Sequence, residues 1–464
     1  MKGSCYDVII VGAGPAGIFC ALELLERDPD LHLLMLERGP ELKKRRCPVS
    51  DQTECARCDP CHNVTGWGGA GAFSDGKLTL TTEFGGNLAQ YTGKDALQDL
   101  IDYCDRWYLR LGAPDRVYGT DPEIAHEMRR RAAAADLIFV PGQIRHLGTD
   151  VCAKVSAAAY EHLADRLDIE TGVEVAEIHV VDGCVEGVVC ADGRRYTGRY
   201  VVVAPGRAGS AWLGDQAESL GVKVTSSSVD IGVRVEVPAL VLEEITDAFY
   251  ESKLLYYSKS FDDKVRTFCM CPHGEVTMEN FDGLVTVNGH SYRQATGENS
   301  NFALLVSKTF TEPFDEPVQY GRNIASLANM LGGGVLVQRL GDLLAGRRST
   351  RRRIERGVVV PTLTGATPGD LSLVLPYRHL LGILEMLEAL DALLPGVHSR
   401  HTLLYGVEVK FYSSVLEVDK SLETPVRNLY AAGDGAGITR GLVQASASGI
   451  HAARSILARE NRGG

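Results

Sequence analysis

The sequence lacks any run of apolar residues long enough to cross a membrane. Hydrophobic residues make up 45% of its 464 positions, but no stretch approaches the ~20 consecutive apolar residues that a transmembrane helix needs. Internal repeats, low-complexity segments and linkers are also missing, which argues against a scaffold. Because the chain is too long for one simple core, we expect a soluble protein of two or more domains.

Basic residues are fewer than acidic ones, 48 against 60, which gives a net charge of -12. This balance argues against a general nucleic-acid-binding surface. The first apolar run leads into a glycine-rich turn instead of a cleavage site, so we expect no secretory signal and a cytoplasmic location. The 12 cysteines would then stay reduced, and clusters of them favour metal binding or thiol chemistry over disulfides.

A nucleotide-binding motif follows that first apolar run. Residues 6–11 predict a buried parallel strand, which ends in a G-x-G-x-x-G turn that opens a helix at 18–26 and a second strand at 31–36. The glycines permit a tight turn and close approach of a pyrophosphate to the helix N-terminus. The acidic Glu37 is expected to accept ribose hydroxyls and to repel a 2′-phosphate, which predicts FAD or NAD. The cofactor-binding residues predicted here are Gly12, Gly14, Pro15, Ala16, Gly17, Glu37 and Arg38.

A second motif near the C-terminus favours FAD. Residues 427–437 predict a strand entering a turn of small residues, and residues 441–457 predict a helix. This pair resembles the closing motif of two-dinucleotide-binding-domain flavoproteins, the glutathione reductase and fumarate reductase superfamily. The resemblance implies an α/β fold with a Rossmann-like FAD-binding domain of the GR2 type, in which Asp434 binds the ribityl chain and helix amides approach the isoalloxazine. The residues it assigns to the cofactor are Gly433, Asp434, Leu442 and Val443.

Residues 172–203 predict short strands separated by turns. In the same superfamily a three-stranded meander occupies this place, and its last strand runs into a small-residue turn near the cofactor. The resemblance therefore implies that the backbone of Val175 contacts adenine and that Gly206 lies beside the cofactor.

Three further segments, residues 66–78, 145–150 and 266–272, resemble a family of uncharacterised FAD-dependent dehydrogenases of bacteria and plastids. This resemblance spans nearly the whole chain and implies the fold and the flavin, but not the substrate. By position, the glycine-rich loop should run along the pyrophosphate and flavin. The residues implied in cofactor binding are Gly68, Gly69, Ala70 and Lys77.

Four cysteines precede that loop, with the spacing C-x7-C-x2-C-x2-C: Cys47, Cys55, Cys58 and Cys61. Thiolates at this spacing suit a [4Fe-4S] cluster, which the run resembles more than it resembles the paired cysteines of a zinc ribbon. The alternative is a metal-free loop that covers the flavin or supplies a redox-active thiol.

The domain boundaries follow from a change in pattern. We predict a discontinuous FAD-binding domain at 1–215 and 405–464, which includes the cysteine-rich loop 47–61. An inserted α+β substrate domain is predicted at 216–404. Within the insert, Cys269 and Cys271 occupy alternate positions of a predicted strand and would point to the same face. They are either pocket-lining groups or a structural pair of buried thiols.

Arg145 and His146 are the candidate catalytic residues. A guanidinium there would clamp a carboxylate and an imidazole would donate a proton. The alternative is a salt bridge and a helix cap.

The sequence predicts an FAD-dependent oxidoreductase that acts on a small organic, anionic or unsaturated substrate by hydride transfer through flavin N5. A second G-x-G-x-x-G in a strand–helix context is missing from the sequence, so NAD(P)H is expected only as a transient electron donor. One alternative is a flavin and iron–sulfur electron-transfer protein with a redox-protein partner, and another is an RNA-linked flavoprotein. No membrane partner is expected.

Overall fold

The computed structural model describes residues 5–47, 58–225, 228–281, 283–291, 297–308, 310, 313 and 316–460. The chain divides into two compact units. The first comprises Met1–Arg116, Arg145–Ser227 and Ser413–Gly464, and the second comprises Val117–Ile144 and Ser228–Tyr412. The second unit thus contains a segment, Val117–Ile144, that the sequence analysis placed in the FAD-binding domain.

The strands, in chain order, are β1 Cys5–Val11, β2 Leu33–Glu37, β3 Lys77–Thr79, β4 Ile138–Val140, β5 Ile144–His146, β6 Asp168–Thr171, β7 Val175–Val181, β8 Cys184–Cys190, β9 Arg195–Val203, β10 Val224–Thr225, β11 Val229–Pro238, β12 Lys253–Tyr257, β13 Lys264–Cys271, β14 Glu275–Phe281, β15 Leu284–His290, β16 Asn299–Lys308, β17 Leu336–Arg339, β18 Thr367–Pro368, β19 Leu403–Phe411, β20 Val415–Leu416 and β21 Leu429–Ala431. The α-helices are α1 Pro15–Arg27, α2 Ala89–Thr92, α3 Lys94–Arg110, α4 Pro122–Ala134, α5 Thr149–Leu163, α6 Ser210–Ser219, α7 Ala239–Phe249, α8 Pro317–Gly332, α9 Leu340–Leu344, α10 Arg351–Ile354, α11 Tyr377–Leu393 and α12 Leu442–Glu460.

The first unit is built on a largely parallel sheet in the order β6-β2-β1-β9-β8-β7. Strands β1 and β2 pair in parallel, and β1 also pairs in parallel with β9. The apolar side chains of β1 are buried in one core with those of α1 and α12, as expected for a parallel strand whose sheet faces are covered. The predicted strand–turn–helix–strand unit and its α/β fold are therefore confirmed.

Strand β9 explains how the distant C-terminal motif reaches this sheet. Its first half pairs antiparallel with β8, and its last residues, Val201 to Val203, pair in parallel with β21. Strands β7, β8 and β9 form the predicted meander. Helix α12 then packs against α1 so closely that a Cβ on Gly449 would lie 1.9 Å from the Ala16 carbonyl oxygen. Both nucleotide-binding motifs thus belong to one layer of helices on one sheet.

The second unit contains a mainly antiparallel sheet in the order β18-β17-β19-β11-β16-β13-β12-β4. Strands β14 and β15 form a separate hairpin. The apolar side chains of β11, β16 and α11 form one buried core. The predicted mixture of strands and helices is confirmed for this unit. Across the described ranges of both units, no helix combines the length and apolar character required to span a membrane.

Candidate functional site

The G-x-G-x-x-G turn has the backbone geometry that the motif predicts. Gly12 has a φ of +106°, and a Cβ there would lie 2.2 Å from the Ala204 carbonyl oxygen. A Cβ on Gly17 would lie 2.0 Å from the Gly12 carbonyl oxygen, so both positions require glycine. Helix α1 begins at Pro15, and Gly14 precedes it without a side-chain cap. The amides and the positive end of α1 therefore face an anion-binding position.

A second glycine-rich segment, residues 66–71, lies against this turn. The Gly68 amide donates to the Ala13 carbonyl at 2.8 Å. A Cβ on Gly69 would lie 3.0 Å from the Cα of Gly14, and one on Gly14 would lie 3.9 Å from the Cα of Gly69. The backbones of the two turns therefore pack against each other at the N-terminus of α1, and a side chain at position 69 would press on Gly14.

The closing motif forms a third glycine-rich segment next to the first two. A Cβ on Gly433 would lie 3.0 Å from the Ala16 Cβ, and one on Gly71 would lie 2.7 Å from the Leu442 side chain. Helix α12 begins at Leu442. The N-termini of α1 and α12 and the 66–71 loop therefore meet at one place, as the two motifs predicted.

Asp434 lies in the turn before α12. Its carboxylate accepts a hydrogen bond from Thr439 Oγ1 at 2.7 Å and from the Gly441 amide at 3.2 Å. Burial raises the pKa of Asp434 above its ordinary value. The backbone of Gly206 is close by, because a Cβ on Gly435 would lie 2.4 Å from the Gly206 carbonyl oxygen.

Glu37, which the sequence predicts to accept ribose hydroxyls, accepts three backbone amides within the protein. Its Oε2 accepts the Ala13 amide at 2.8 Å, and its Oε1 accepts the amides of Gly39 at 2.8 Å and Gly66 at 2.9 Å. The side chain is buried. Its carboxylate therefore fixes the first glycine turn and the 66–71 loop relative to each other.

Arg45 holds the same loop from the other side, and the sequence analysis missed it. Its guanidinium donates to the carbonyls of His62 at 2.9 Å, Trp67 at 2.6 Å and Gly69 at 2.9 Å. It also lies 4.6 Å from the centre of the Phe73 ring. Burial lowers the pKa of Arg45 to about 10, which leaves it charged near neutral pH. In the sequence it is one of four consecutive basic residues, and no pattern distinguishes it from a solvated charge.

The other residues predicted to bind the cofactor occupy several environments. Arg38 is partly exposed and pairs with Asp59 at 2.7 Å and Glu174 at 3.3 Å. Val175 is buried at the start of β7. Val443 is buried in the first turn of α12, whereas Ala70 is exposed.

Lys77 belongs to a cluster of charges after the glycine loop. His146 Nε2 lies 2.7 Å from Asp75 Oδ1, and Lys77 Nζ lies 3.2 Å from Asp75 Oδ2. Burial acts to raise the pKa of Asp75, but Lys77 and His146 outweigh it and hold the pKa well below its usual range. The three groups form a compact, mostly buried ionic cluster.

Arg145 precedes His146 on β5 and contacts different groups. Its Nε and Nη2 donate to the two Asp105 oxygens at 2.8 Å and 2.7 Å, and its Nη1 donates to the Pro114 carbonyl at 2.6 Å. Its side chain is 5% exposed. This bidentate pair accounts for the burial of the guanidinium and fixes the strand that carries His146.

An apolar cavity adjoins the three glycine-rich segments and the ionic cluster. Its lining includes Pro15, Gly68, Gly71, Leu147, Cys152 and Leu442. A Cβ on Gly76 would lie 2.3 Å from the Cys152 Sγ and 2.8 Å from the Leu147 Cβ. Residues 75–77 therefore pack directly behind the cavity lining.

Of the predicted metal ligands, Cys47, Cys58 and Cys61 are exposed thiols, and Cys55 lies outside the described residues. Within the part of the chain that the structure describes, no group of three or more His, Cys, Asp or Glu side chains is arranged to hold a metal ion. The metal site stays a prediction from spacing.

The first unit fits a dinucleotide. Gly14 and Gly69 bring two backbone segments into contact at the N-terminus of α1 without an intervening side chain. The α1 N-terminus is uncapped by side chains, which suits a pyrophosphate. The buried carboxylate of Asp434 lies in the turn before α12.

Comparison with known proteins agrees with this geometry. Residues 228–411 match the family described as FAD-dependent protein, C-terminal domain-like. The chain is 30% identical over 478 residues to an uncharacterised protein from Clostridium beijerinckii, an alignment that covers 97% of this chain and 80% of that protein. The chain belongs to the same family as this Clostridium beijerinckii protein. The match of residues 228–411 to an FAD-dependent family supports FAD as the cofactor, as the two nucleotide-binding motifs predicted.

Some solved structures are also similar. FrdA of E. coli quinol fumarate reductase is 13% identical, with 100% of this chain and 72% of that chain covered and a TM-score of 0.40. Formate oxidase of Aspergillus oryzae is 13% identical over 100% of both chains, with a TM-score of 0.46. Similarities at this level carry no inference about substrate or mechanism.

Proposed function

We propose that this protein is an FAD-dependent oxidoreductase acting on a small organic substrate. The observation that carries the proposal is the meeting of three glycine-rich segments at the N-termini of α1 and α12, with Gly14 facing Gly69 and Gly71 facing Leu442. When bound, FAD supplies hydride or electron transfer at its N5 position.

The chain's own groups bind and orient the cofactor in this proposal. The first-turn amides of α1 bind the pyrophosphate, and Glu37 and Arg45 hold the 66–71 loop against it. Asp434 accepts hydroxyl groups of the ribityl chain. The positive end of α12 stabilises negative charge that develops beside Leu442 and Val443.

The cluster of Asp75, Lys77 and His146 is the proposed proton-handling group. Asp75 orients the imidazole through the 2.7 Å contact with His146 Nε2, which suits His146 for giving or taking a proton. Arg145 acts as a positioning residue, since Asp105 holds its guanidinium. The apolar cavity lining in front of the cluster excludes water from the reacting groups.

The substrate is proposed to be a small anionic or unsaturated molecule, and NAD(P)H is proposed as a transient electron donor. One G-x-G-x-x-G motif is present in a strand–helix context, and the first unit uses it for FAD. A nicotinamide donor would therefore bind and leave without a dedicated domain of its own.

The cofactor proposal is tested by FAD titration of the FAD-depleted full chain. We expect Gly14→Val and Asp434→Ala to weaken FAD binding at least about tenfold, because one places a side chain at the proposed pyrophosphate site and the other removes the buried carboxylate. Gly214→Val is the matched control: this glycine lies in α6, and a Cβ there meets no atom within 4 Å among the described residues. Wild-type affinity in both site variants would overturn the assignment.

Turnover measurements test the proposed reaction, its electron donor and the role of His146. The FAD-loaded protein is mixed anaerobically with NADH or NADPH and then with a panel of organic acceptors, and flavin absorbance is followed. We expect flavin bleaching by a nicotinamide or by a reduced organic substrate, and a shifted pH–rate profile in His146→Gln. A bound flavin that none of these compounds reduces or reoxidises would contradict an oxidoreductase of small molecules.

A further inference from the structure

Two cysteines in the second unit lie unusually close together. The Sγ atoms of Cys269 and Cys271, near the end of β13, are 4.0 Å apart. In a regular strand, residues two apart are separated by about 6.6 Å along the chain. Strand β13 departs from that geometry, because its pairing with β16 shifts register between Phe268 and Cys271.

The irregularity centres on Cys269 itself. This residue has a φ of +45°, a left-handed conformation that non-glycine residues rarely adopt and that tends to occur where the surroundings enforce it. The conformation turns the Cys269 side chain toward that of Cys271. A β-bulge of this kind re-aims a side chain, which is a frequent use of bulges beside functional groups.

Arg234, on β11, reaches both residues across the intervening strand β16. Its Nη2 donates to the Cys269 carbonyl at 2.6 Å and to the Cys271 Sγ at 3.2 Å. Its Nε donates to Asn301 at 2.7 Å, and its Nη1 pairs with Glu408 at 3.2 Å. The guanidinium is fully buried. Burial acts to lower the pKa of Arg234, but Glu408 and the two thiols raise it above its ordinary value.

The two sulfurs differ in accessibility. Cys271 is buried and Cys269 is partly exposed. Besides Arg234 and Glu408, the charged groups at the pair are Lys410, whose Nζ lies 3.3 Å from Glu408, and Glu279, which Lys410 contacts at 3.4 Å. An accessible thiol beside a buried one next to a cation is the arrangement of an attacking and a resolving cysteine.

We propose that Cys269 and Cys271 are a redox-active dithiol, which a low-molecular-weight disulfide oxidises to an intramolecular disulfide. The Cys269 thiolate attacks one sulfur of the disulfide, forms a mixed disulfide and releases one thiolate. Cys271 gives up its proton and attacks Cys269 Sγ, which expels the second thiolate. Both expelled thiolates take up a proton, so two protein thiols are oxidised and one small disulfide is reduced to two thiols.

The geometry supports each step. The distance between the two Sγ atoms must fall from 4.0 Å to about 2.05 Å, the length of a disulfide bond. Rotation of the two side chains on the bulge brings the sulfurs closer together. The Arg234 guanidinium stabilises the Cys271 thiolate as it forms. Burial of Cys271 keeps outside reagents from it, so oxidation begins at Cys269. This inference is independent of the flavin.

The test is mass mapping of the full-length protein after incubation with glutathione disulfide. The sample is quenched with acid, its remaining thiols are blocked with N-ethylmaleimide, and it is digested with trypsin. Cleavage after Arg266 yields a peptide whose only cysteines are Cys269 and Cys271. We expect this peptide to lose two hydrogens and to carry no maleimide, and we expect dithiothreitol to reverse the change.

Single variants separate the two steps. Cys271→Ser should accumulate a glutathione adduct at Cys269, whereas Cys269→Ser should leave Cys271 without an adduct. The exposed Cys5 reports that the reagent is active, and the buried Cys104 reports that the protein remains folded. If Cys271→Ser fails to fold, Cys271→Ala replaces it.

Two results would overturn the proposal. One is a wild-type peptide that carries maleimide on both cysteines while Cys5 is modified by glutathione. The other is the absence of an adduct at Cys269 in the folded Cys271 variant.

Discussion

The carboxylate of Glu37 accepts the backbone amide of Gly66 at 2.9 Å, across 29 positions of the sequence. The same side chain accepts the amides of Ala13 and Gly39 at 2.8 Å. One buried carboxylate therefore joins the end of β2 to both glycine-rich segments. It fixes the backbone around the proposed nucleotide-binding site.

Glu37→Gln is expected to destabilise the FAD-free protein by at least about 2 kcal/mol, because hydrogen bonds to a charged acceptor contribute about 1.5–3 kcal/mol each. The Gln amide nitrogen would also face a backbone N–H at one of the two oxygen positions. We expect weaker FAD binding as well. Urea unfolding of the FAD-free protein and FAD titration measure the two effects.

The control is Glu170→Gln in the same unit. Glu170 accepts Tyr196 Oη at 2.7 Å and pairs with Arg194 on the surface, and such a change should cost less than about 1 kcal/mol. Equal effects of the two substitutions would show that Glu37 does not organise the two glycine-rich segments.

Arg45→Lys retains the positive charge but is expected to weaken FAD binding about tenfold. A lysine ammonium cannot reproduce the planar set of N–H donors with which the guanidinium contacts several carbonyls. Arg46→Lys, at the exposed neighbouring position, is the matched control and should bind FAD normally. Fluorescence titration compares the two variants. Similar affinity in both would mean that the loop keeps its shape without the guanidinium.

Glu37 and Arg45 show how far the sequence could predict the site. The strand–turn–helix pattern around Gly12 and the strand–helix pattern around Asp434 depend on local periodicity and on glycine spacing, and both were predicted. Their convergence was inferred from a family resemblance. The partners of Glu37 and Arg45 are backbone atoms, mostly of a distant loop. Every residue has the same backbone groups, so the sequence does not show which of them will contact these side chains.

The second unit was harder to predict in detail. Strand β13 was expected to be regular, with Cys269 and Cys271 on one face. The bulge depends on Arg234, a fully buried guanidinium on another strand, and sequence patterns treat arginine as a surface residue. The segment Val117–Ile144 joins the second unit because β4 pairs with β12, a contact between segments more than a hundred residues apart in the sequence.

The cysteine-rich loop still predicts bound metal. If the prediction is correct, protein purified without oxygen will contain about four irons per chain or about one zinc. Cys58→Ser combined with Cys61→Ser should then remove the metal, whereas the control Cys5→Ser, at another exposed thiol, should not. Elemental analysis decides the question, and wild-type protein without iron or zinc would leave the loop as a thiol site or a cover for the flavin.

Asp75 should give the protein a measurable sensitivity to acid. Lys77 and His146 hold the pKa of its carboxyl well below the usual range in spite of burial. A carboxyl with a lowered pKa in the folded state stabilises the fold above its unfolded pKa, about 3.9, and this contribution is lost as the pH falls below that value. The Asp75→Asn variant lacks the contribution at every pH.

We therefore expect Asp75→Asn to be less stable than wild type at neutral pH, with the difference shrinking as the pH falls below about 3.9. Urea unfolding at a series of pH values measures this difference directly. Asp30→Asn, which changes an exposed carboxylate, should follow the wild-type curve. Other paired carboxylates also titrate in acid, so the informative quantity is the difference in free energy of unfolding between wild type and Asp75→Asn. A difference that stays constant with pH would contradict the ionic cluster.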